Sequence, residues 1–188
     1  MTDRELIQAL QNKQQDAFRL LVDGYRDRMY NAILGLVQNF EDAEDLVQDV
    51  FIKVFENIQQ FKGDASLGTW MYRIAVTLSL DFIRKKKRKK RAGAVLSWLG
   101  VGEKESLDVA EFNHPGVIAE NREQAAILFK AIEQLPDNQK SAFVLQKVEG
   151  LSVQEIAGVL NSSEGAVESL LSRAKANLKK LLREYYSS

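Results

Sequence analysis

Three groups of residues in this chain have types and spacing suited to chemistry, and in each case the chemistry is recognition. The first runs from Ser152 to Arg173. Ser152-Val153-Gln154-Glu155 is a capping box that opens a short helix, Asn161-Ser162-Ser163 makes a tight turn, and a second helix follows. This is the layout of a helix-turn-helix, in which a helix fronted by short polar side chains enters the major groove. Ala157 is small where the two helices cross, and Ile156, Leu160, Val167 and Leu171 form a shared core; an ordinary helical hairpin in a bundle has the same pattern. In the second group Phe61, Trp70, Tyr72 and Arg73 precede the run Arg84-Lys85-Lys86-Lys87-Arg88-Lys89-Lys90-Arg91. Aromatic faces stack on unpaired bases while nearby cations hold a backbone. The helical spacing also puts Trp70 on an apolar stripe, so core packing is the competing reading. The third group is an acid-and-amide face, Glu44, Asp45, Gln48 and Asp49, in which the last three share one side of a helix at i, i+3 and i+4. Such a face either binds a partner or is simply solvated.

Composition excludes other chemistries. The chain has 188 residues with no cysteine and one histidine, His114. Disulfides, thiolate metal sites and direct thiol redox sensing are therefore ruled out. No nucleophile–base pair, metal cluster or phosphate loop stands out, so we expect no enzyme activity, no cofactor and no small-molecule substrate. No run approaches the ~18–20 apolar residues of a membrane span, and the N-terminus lacks the layout of a secretory signal; the expected location is cytoplasmic. The formal net charge of zero conceals a strong asymmetry. Residues 81–91 carry 8 basic and 1 acidic side chains, whereas residues 1–80 carry 8 and 12. One concentrated cationic segment in a neutral chain suits a local polyanion contact, or else serves as a solvated tail.

The elements that must position these groups are helices. The stripe Phe18, Leu21, Val22, Tyr25, Met29, Ala32, Ile33 and Leu36 has 3–4 spacing. A third helix, from about Asp42 to Ile58, is expected to bury Ala43, Leu46, Val47, Val50, Phe51, Val54, Phe55 and Ile58. After a loop at Phe61–Ser66, a long helix from about Leu67 runs into the basic segment. Periodicity fades from Ala92 to about Gly116, where Gly93, Gly100, Gly102, Pro115 and Gly116 fall among Glu103, Glu105, Asp108 and Glu111. That stretch is expected to be a flexible acidic linker, although Val95-Leu96-Ser97-Trp98-Leu99 is apolar enough to dock on something. Helices resume near Val117, with breaks at Pro136 and Gly150. The expected fold is all-α, with two small helical domains (1–91 and 117–188) joined by a flexible linker (92–116), the C-terminal domain being a helix-turn-helix.

Together these pieces resemble the extracytoplasmic-function sigma factors of the sigma-70 family. The resemblance rests on Asp42-Ala43-Glu44-Asp45-Leu46-Val47-Gln48-Asp49-Val50-Phe51-Ile52-Lys53-Val54-Phe55, on Phe61-Lys62-Gly63-Asp64 with Thr69-Trp70-Met71-Tyr72-Arg73-Ile74-Ala75, and on Leu135-Pro136, Glu149-Gly150-Leu151-Ser152, Glu155-Ile156-Ala157 and Arg173-Ala174. It implies that Asp45, Gln48 and Asp49 bind core RNA polymerase at the clamp helices of its largest subunit. It assigns the −10 element to Phe61, Lys62, Gly63, Asp64, Ala65, Ser66, Trp70, Tyr72, Arg73, Thr77, Arg84, Lys85 and Arg88, with the loop capturing a flipped base. It assigns the −35 element to Ser163, Glu168, Ser169, Ser172, Arg173 and Lys175. It further implies contact with the flap of the second-largest subunit, a linker threaded into the polymerase cleft, and an anti-sigma factor partner, commonly a membrane-bound one.

Two positions depart from the family pattern. Thr77 stands where asparagine is usual and lacks the paired donor and acceptor of an amide, which bears on the −10 base preference. Glu168 stands where a cation is usual. Two other functions share much of this pattern. A stand-alone helix-turn-helix repressor would bind duplex operator without polymerase. A polymerase-binding adaptor would bind core without giving a promoter-specific transcript.

Overall fold

The computed structural model describes residues 2–98 and 122–186, without the side chains of 93–98, 122–125 and 186. Among the described residues every regular element is helical: α1 (Asp3–Gln11), α2 (Gln15–Val37), α3 (Phe40–Asn57), a 3-10 turn (Ile58–Gln60), α4 (Leu67–Trp98), α5 (Arg122–Glu133), α6 (Asp137–Lys147), α7 (Val153–Leu160) and α8 (Glu164–Tyr186). None of these helices is long and apolar enough to cross a membrane.

Local signals set the helix starts. Thr2 and Glu5 form a reciprocal capping box at α1, and Ser152 and Glu155 form another at α7. Two donors that the first turn would leave orphaned are satisfied each time. Asn39 caps α3, its side-chain oxygen accepting the Asp42 N–H at 2.9 Å. Between α7 and α8, Asn161 takes the left-handed conformation (φ 49°, ψ 52°), which asparagine tolerates better than most residues. Gly150 has φ +68°, a conformation that favours glycine.

α2, α3 and α4 pack pairwise into a bundle, with α1 against α2. Leu21, Met29, Ile33, Val50, Val54 and Met71 lie at its centre with essentially no exposure. In the C-terminal half α5, α6 and α7 all pack on α8, around Leu145, Ile156, Val167 and Ala174.

α4 continues to Trp98, so the helix runs past the expected domain boundary at Arg91. Lysine, arginine, alanine and leucine are all good helix formers, and Gly93 alone costs only ~1 kcal/mol. The expected linker from Leu99 onward, including its acidic residues, and the expected helix start at Val117 lie outside the described residues. One expectation is corrected: Phe55, expected in the core, is 51% exposed. It sits at the edge of the α3 stripe, where its ring meets Phe18 edge-on at 5.5 Å.

The two halves also meet. α2 packs on α6, and α4 packs on α7. This contact explains why Ala32, Ile33, Leu34, Gly35 and Leu36 are all buried in succession. A helix buried on every side at one level must be covered from both directions.

Candidate nucleic-acid interface

Three surfaces carry the residues singled out in the sequence. On α3, Ala43, Leu46, Val47, Val50, Phe51 and Val54 are buried, and Asp45, Gln48 and Asp49 are all exposed on the opposite side. Ile52 (53% exposed) continues this side one turn on, and Phe55 on the same helix is 51% exposed. The surface is therefore an acidic strip running into an apolar patch. Sequence reading missed the apolar half, because Phe55 fits the buried period and Ile52 was silent. The signal for Ile52 was its i+3 and i+4 spacing from Asp49 and Gln48.

The second surface surrounds the start of α4. Gln11 on α1 donates to the carbonyls of Ile58 and Phe61, each at 3.3 Å, and fixes the entry to the loop. Lys62, Gly63, Asp64 and Ser66 are exposed, and Ala65 is half-buried. Gly63 turns the loop at φ +79°. Ser66 then caps α4, its hydroxyl oxygen accepting the Thr69 N–H at 3.1 Å. Phe61 packs on Trp70 with ring centroids 5.0 Å apart, so both rings are half-buried as a pair. Beside them opens a cavity of about 490 Å³. Its polar lining is Lys53, Asn57, Gln60, Arg73 and Thr77, and its apolar lining is Trp70, Ile74 and Leu78. Lys53, Asn57 and Gln60 were missed in the sequence. They come from the end of α3 and the 3-10 turn, and only folding brings them to α4.

Tyr72 is not part of this open surface. It is 1% exposed, and its hydroxyl donates to Glu149 Oε2 at 2.5 Å. Counting from Trp70, two residues along a helix turns the side chain to another face, and here that face lies against the C-terminal half. Burial pushes the Tyr72 phenol well above its ordinary pKa, and the Glu149 carboxylate beside it adds to the effect. Burial likewise raises the Glu149 carboxyl, against the opposing pull of the Tyr72 hydrogen bond and of Arg28. Arg28 reaches Glu149 at 3.9 Å and lies 5.5 Å from the Tyr72 ring centroid.

Arg73 Nε donates to the carbonyl of Gly158 in α7 at 2.6 Å. In the basic segment Arg84 pairs with Asp81 at 3.3 Å and reaches Asp137 of α6 at 3.9 Å. Lys86 pairs with Asp42 at 2.7 Å, and Lys85 and Arg88 are exposed.

The third surface is the outer side of α8. Ser163 sits just before it, its hydroxyl oxygen accepting the Ala166 N–H at 3.2 Å. Of the expected shared core, Ile156, Val167 and Leu171 are buried, as are Ala157 and Ala174, and Leu160 is partly buried against it, where α7 packs on α8. Glu168, Ser172, Arg173 and Lys175 are exposed, and Ser169 is half-buried. The residues assigned to duplex contact thus spread over the outer surface of the first half of α8, with Ser163 just before it. On another side of α8 an apolar groove of about 540 Å³ is lined by Leu128, Phe143, Leu178 and Leu182, with Lys175, Lys179 and Arg183 at its rim.

Comparison with known proteins gives consistent matches at both ends of the chain. Residues 21–89 match the family described as Sigma-70 region 2, and residues 125–178 match Sigma-70, region 4. The chain is 32% identical to the ECF RNA polymerase sigma factor SigW of Bacillus subtilis, over 98% of each chain. It is 30% identical to the ECF RNA polymerase sigma-E factor of Escherichia coli, over 93% of this chain and 91% of that one. Among solved structures, CnrH in complex with the cytosolic domain of CnrY superposes with a TM-score of 0.70 at 24% identity, covering 97% of both chains. The sigma factor RpoE of Bartonella quintana, in complex with the anti-sigma factor NepR, gives 0.63 at 22% identity, over 88% of this chain and 96% of that one.

Proposed function

The chain belongs to the extracytoplasmic-function sigma factors of the sigma-70 family, and we propose a division of labour among its three surfaces in bringing core RNA polymerase to promoters. The acidic–apolar strip of α3, Asp45, Gln48 and Asp49 with Ile52 and Phe55 beside them, binds the clamp helices of the largest subunit. Charge steers and registers that encounter, and the apolar patch supplies burial. The cavity beside the Phe61–Trp70 pair takes a base flipped from the −10 element. Asn57, Gln60 and Thr77 offer amide and hydroxyl groups to its edge, Trp70 offers a π-face, and Arg73 with the exposed cations of the basic segment holds the strand. The outer side of α8 reads the −35 duplex, with Arg173 and Lys175 toward phosphates and Ser169 and Ser172 near the groove floor. The apolar groove on α8 suits the flap of the second-largest subunit. One of the similar folds is in complex with the cytosolic domain of CnrY and another with the anti-sigma factor NepR, and a membrane-anchored anti-sigma factor is the regulator proposed here.

One observation carries this reading: a cavity with mixed amide, cationic and aromatic lining opens beside the turn that the −10 assignment needs. The test is run-off transcription with purified core polymerase on genomic fragments, followed by mapping of the start sites. Discrete starts that share spaced −35 and −10 elements are expected. A footprint on duplex DNA without polymerase would indicate a repressor instead, and core binding without any discrete transcript would indicate an adaptor.

A further inference from the structure

We propose that Asn57 sets the base preference of the cavity beside the Phe61–Trp70 pair, admitting cytosine or adenine over thymine or guanine. The inference rests on the −10 assignment above and names the class of base that the cavity takes. Cytosine and adenine carry an amine on the pairing edge where thymine and guanine carry a carbonyl.

Asn57 is the last residue of α3, half-buried on the wall of the cavity. Its Nδ2 donates to the Lys53 carbonyl, one turn back, at 2.8 Å. A carbonyl only accepts, so the amide atom that faces it is the nitrogen. Nitrogen and oxygen diverge from a single carbon. With the nitrogen tied to its own helix, Oδ1 is the group that Asn57 offers to the cavity it lines. This acceptor is held in place by a hydrogen bond within α3 and needs no base to orient it.

The other lining groups do not fix a polarity in the same way. Thr77 is exposed, and a hydroxyl rotates to donate or accept as its neighbour requires. Gln60 is exposed on the 3-10 turn, where its longer side chain can present either end of the amide. The two cations only donate, and each is drawn toward a partner of its own. Lys53 Nζ lies 2.7 Å from Glu56 Oε2, and Arg73 Nε donates to the Gly158 carbonyl at 2.6 Å. Trp70 stacks on any base and so adds affinity without choosing. Against Asn57 Oδ1, the N4 amine of cytosine or the N6 amine of adenine donates a hydrogen bond. The O4 of thymine or the O6 of guanine would set two acceptors face to face, and both would lose their water without gaining a partner.

The test must separate base choice from the place of Asn57 at the end of α3. Holoenzyme is assembled from the full chain and core polymerase. Binding of fluorescent −10 non-template single strands is then measured with each of the four bases at each position of the element. At one position cytosine and adenine are expected to bind about tenfold more tightly than thymine and guanine. A cytosine analogue without the amine should lose that advantage. Asn57→Ala is expected to level the four bases at this position, whereas Asn57→Asp, which keeps an acceptor oxygen, preserves their order. A preference that survives Asn57→Ala would overturn the proposal and leave the −10 assignment intact. Equal weakening of all four bases by Asn57→Ala would do the same, since it would mark a purely structural role. A preference for thymine or guanine that Asn57→Ala removes would overturn the stated polarity. No base preference at any position would overturn the −10 assignment of the cavity, and this inference with it.

Discussion

Gly35 offers the sharpest separation between what one half of the chain needs and what the contact between halves needs. It lies on α2 in the N-terminal half, and a Cβ there would sit 2.7 Å from Val144 Cγ1 and 3.3 Å from Cγ2 on α6. Ordinary carbon contacts are ~3.5–4.0 Å, so α6 or Val144 must give by nearly 1 Å. Val144 is only 1% exposed, and a valine in a helix has one strongly preferred rotamer, so it cannot swing aside. Overpacking of this kind costs ~1–3 kcal/mol. Within α2 alone, Gly→Ala is favourable by ~1 kcal/mol, and that gain is present whether the halves are docked or apart. Gly35→Ala is therefore expected to strengthen the N-terminal bundle while shifting the docked equilibrium toward separation by about 5- to 150-fold. The assay pairs native-state hydrogen exchange of the α2 amides with energy transfer between dyes on cysteines placed at exposed Arg19 and Lys180. Slower α2 exchange together with reduced transfer is expected. Faster α2 exchange with unchanged transfer would show that the bundle itself requires Gly35, and the steric reasoning would fail.

Charge reversal at Asp49 should leave the helix content unchanged and weaken core polymerase binding at least tenfold, ~1.4 kcal/mol; unchanged affinity of a folded Asp49→Lys protein refutes the α3 assignment. Glu168→Lys should raise affinity for −35 duplexes of all sequences and steepen the salt dependence by roughly one phosphate contact. A shifted preference at a single base pair would instead mark Glu168 as accepting from the N4 amine of cytosine. Lys140 is 2% exposed, and burial depresses its ammonium pKa, with Lys87 adding to the effect while Glu133 and Asp137 oppose it. Because the folded state releases this proton more easily than the unfolded one, stability should rise as pH climbs toward the ordinary lysine value. Lys140→Met should abolish that slope and raise Tm by about 2–8 °C, as expected for removing ~1–2 kcal/mol of buried-charge penalty; a lower Tm would show that the ammonium is well satisfied where it lies.

Local rules were enough to read the helices and their caps. The capping boxes at Thr2 and Ser152 and the left-handed turn at Asn161 depend on residues within four positions of one another, so they are written directly in the sequence. The same holds for the outward direction of Asp45, Gln48 and Asp49, which follows once Leu46, Val47 and Val50 face inward. The outer face of α8 was legible for that reason too.

What needed the tertiary structure was every feature made by residues far apart in the chain. Periodicity can say that Tyr72 and Trp70 point in different directions, but not that Glu149 waits on one side and an open cavity on the other. Asn57 and Gln60 carry no signal until the end of α3 is set beside α4. Phe55 obeys the buried period and is still half exposed, because a stripe names the face that could be covered, and only a neighbouring helix covers it. Gly35 and Gly158 look like neutral helix residues in the sequence. Their lack of a side chain acquires meaning only where α6 and α4 come within van der Waals contact of them. Spacing along a helix fixes direction relative to its own axis, whereas burial depends on what stands opposite, and that is set by how the two halves of the chain meet.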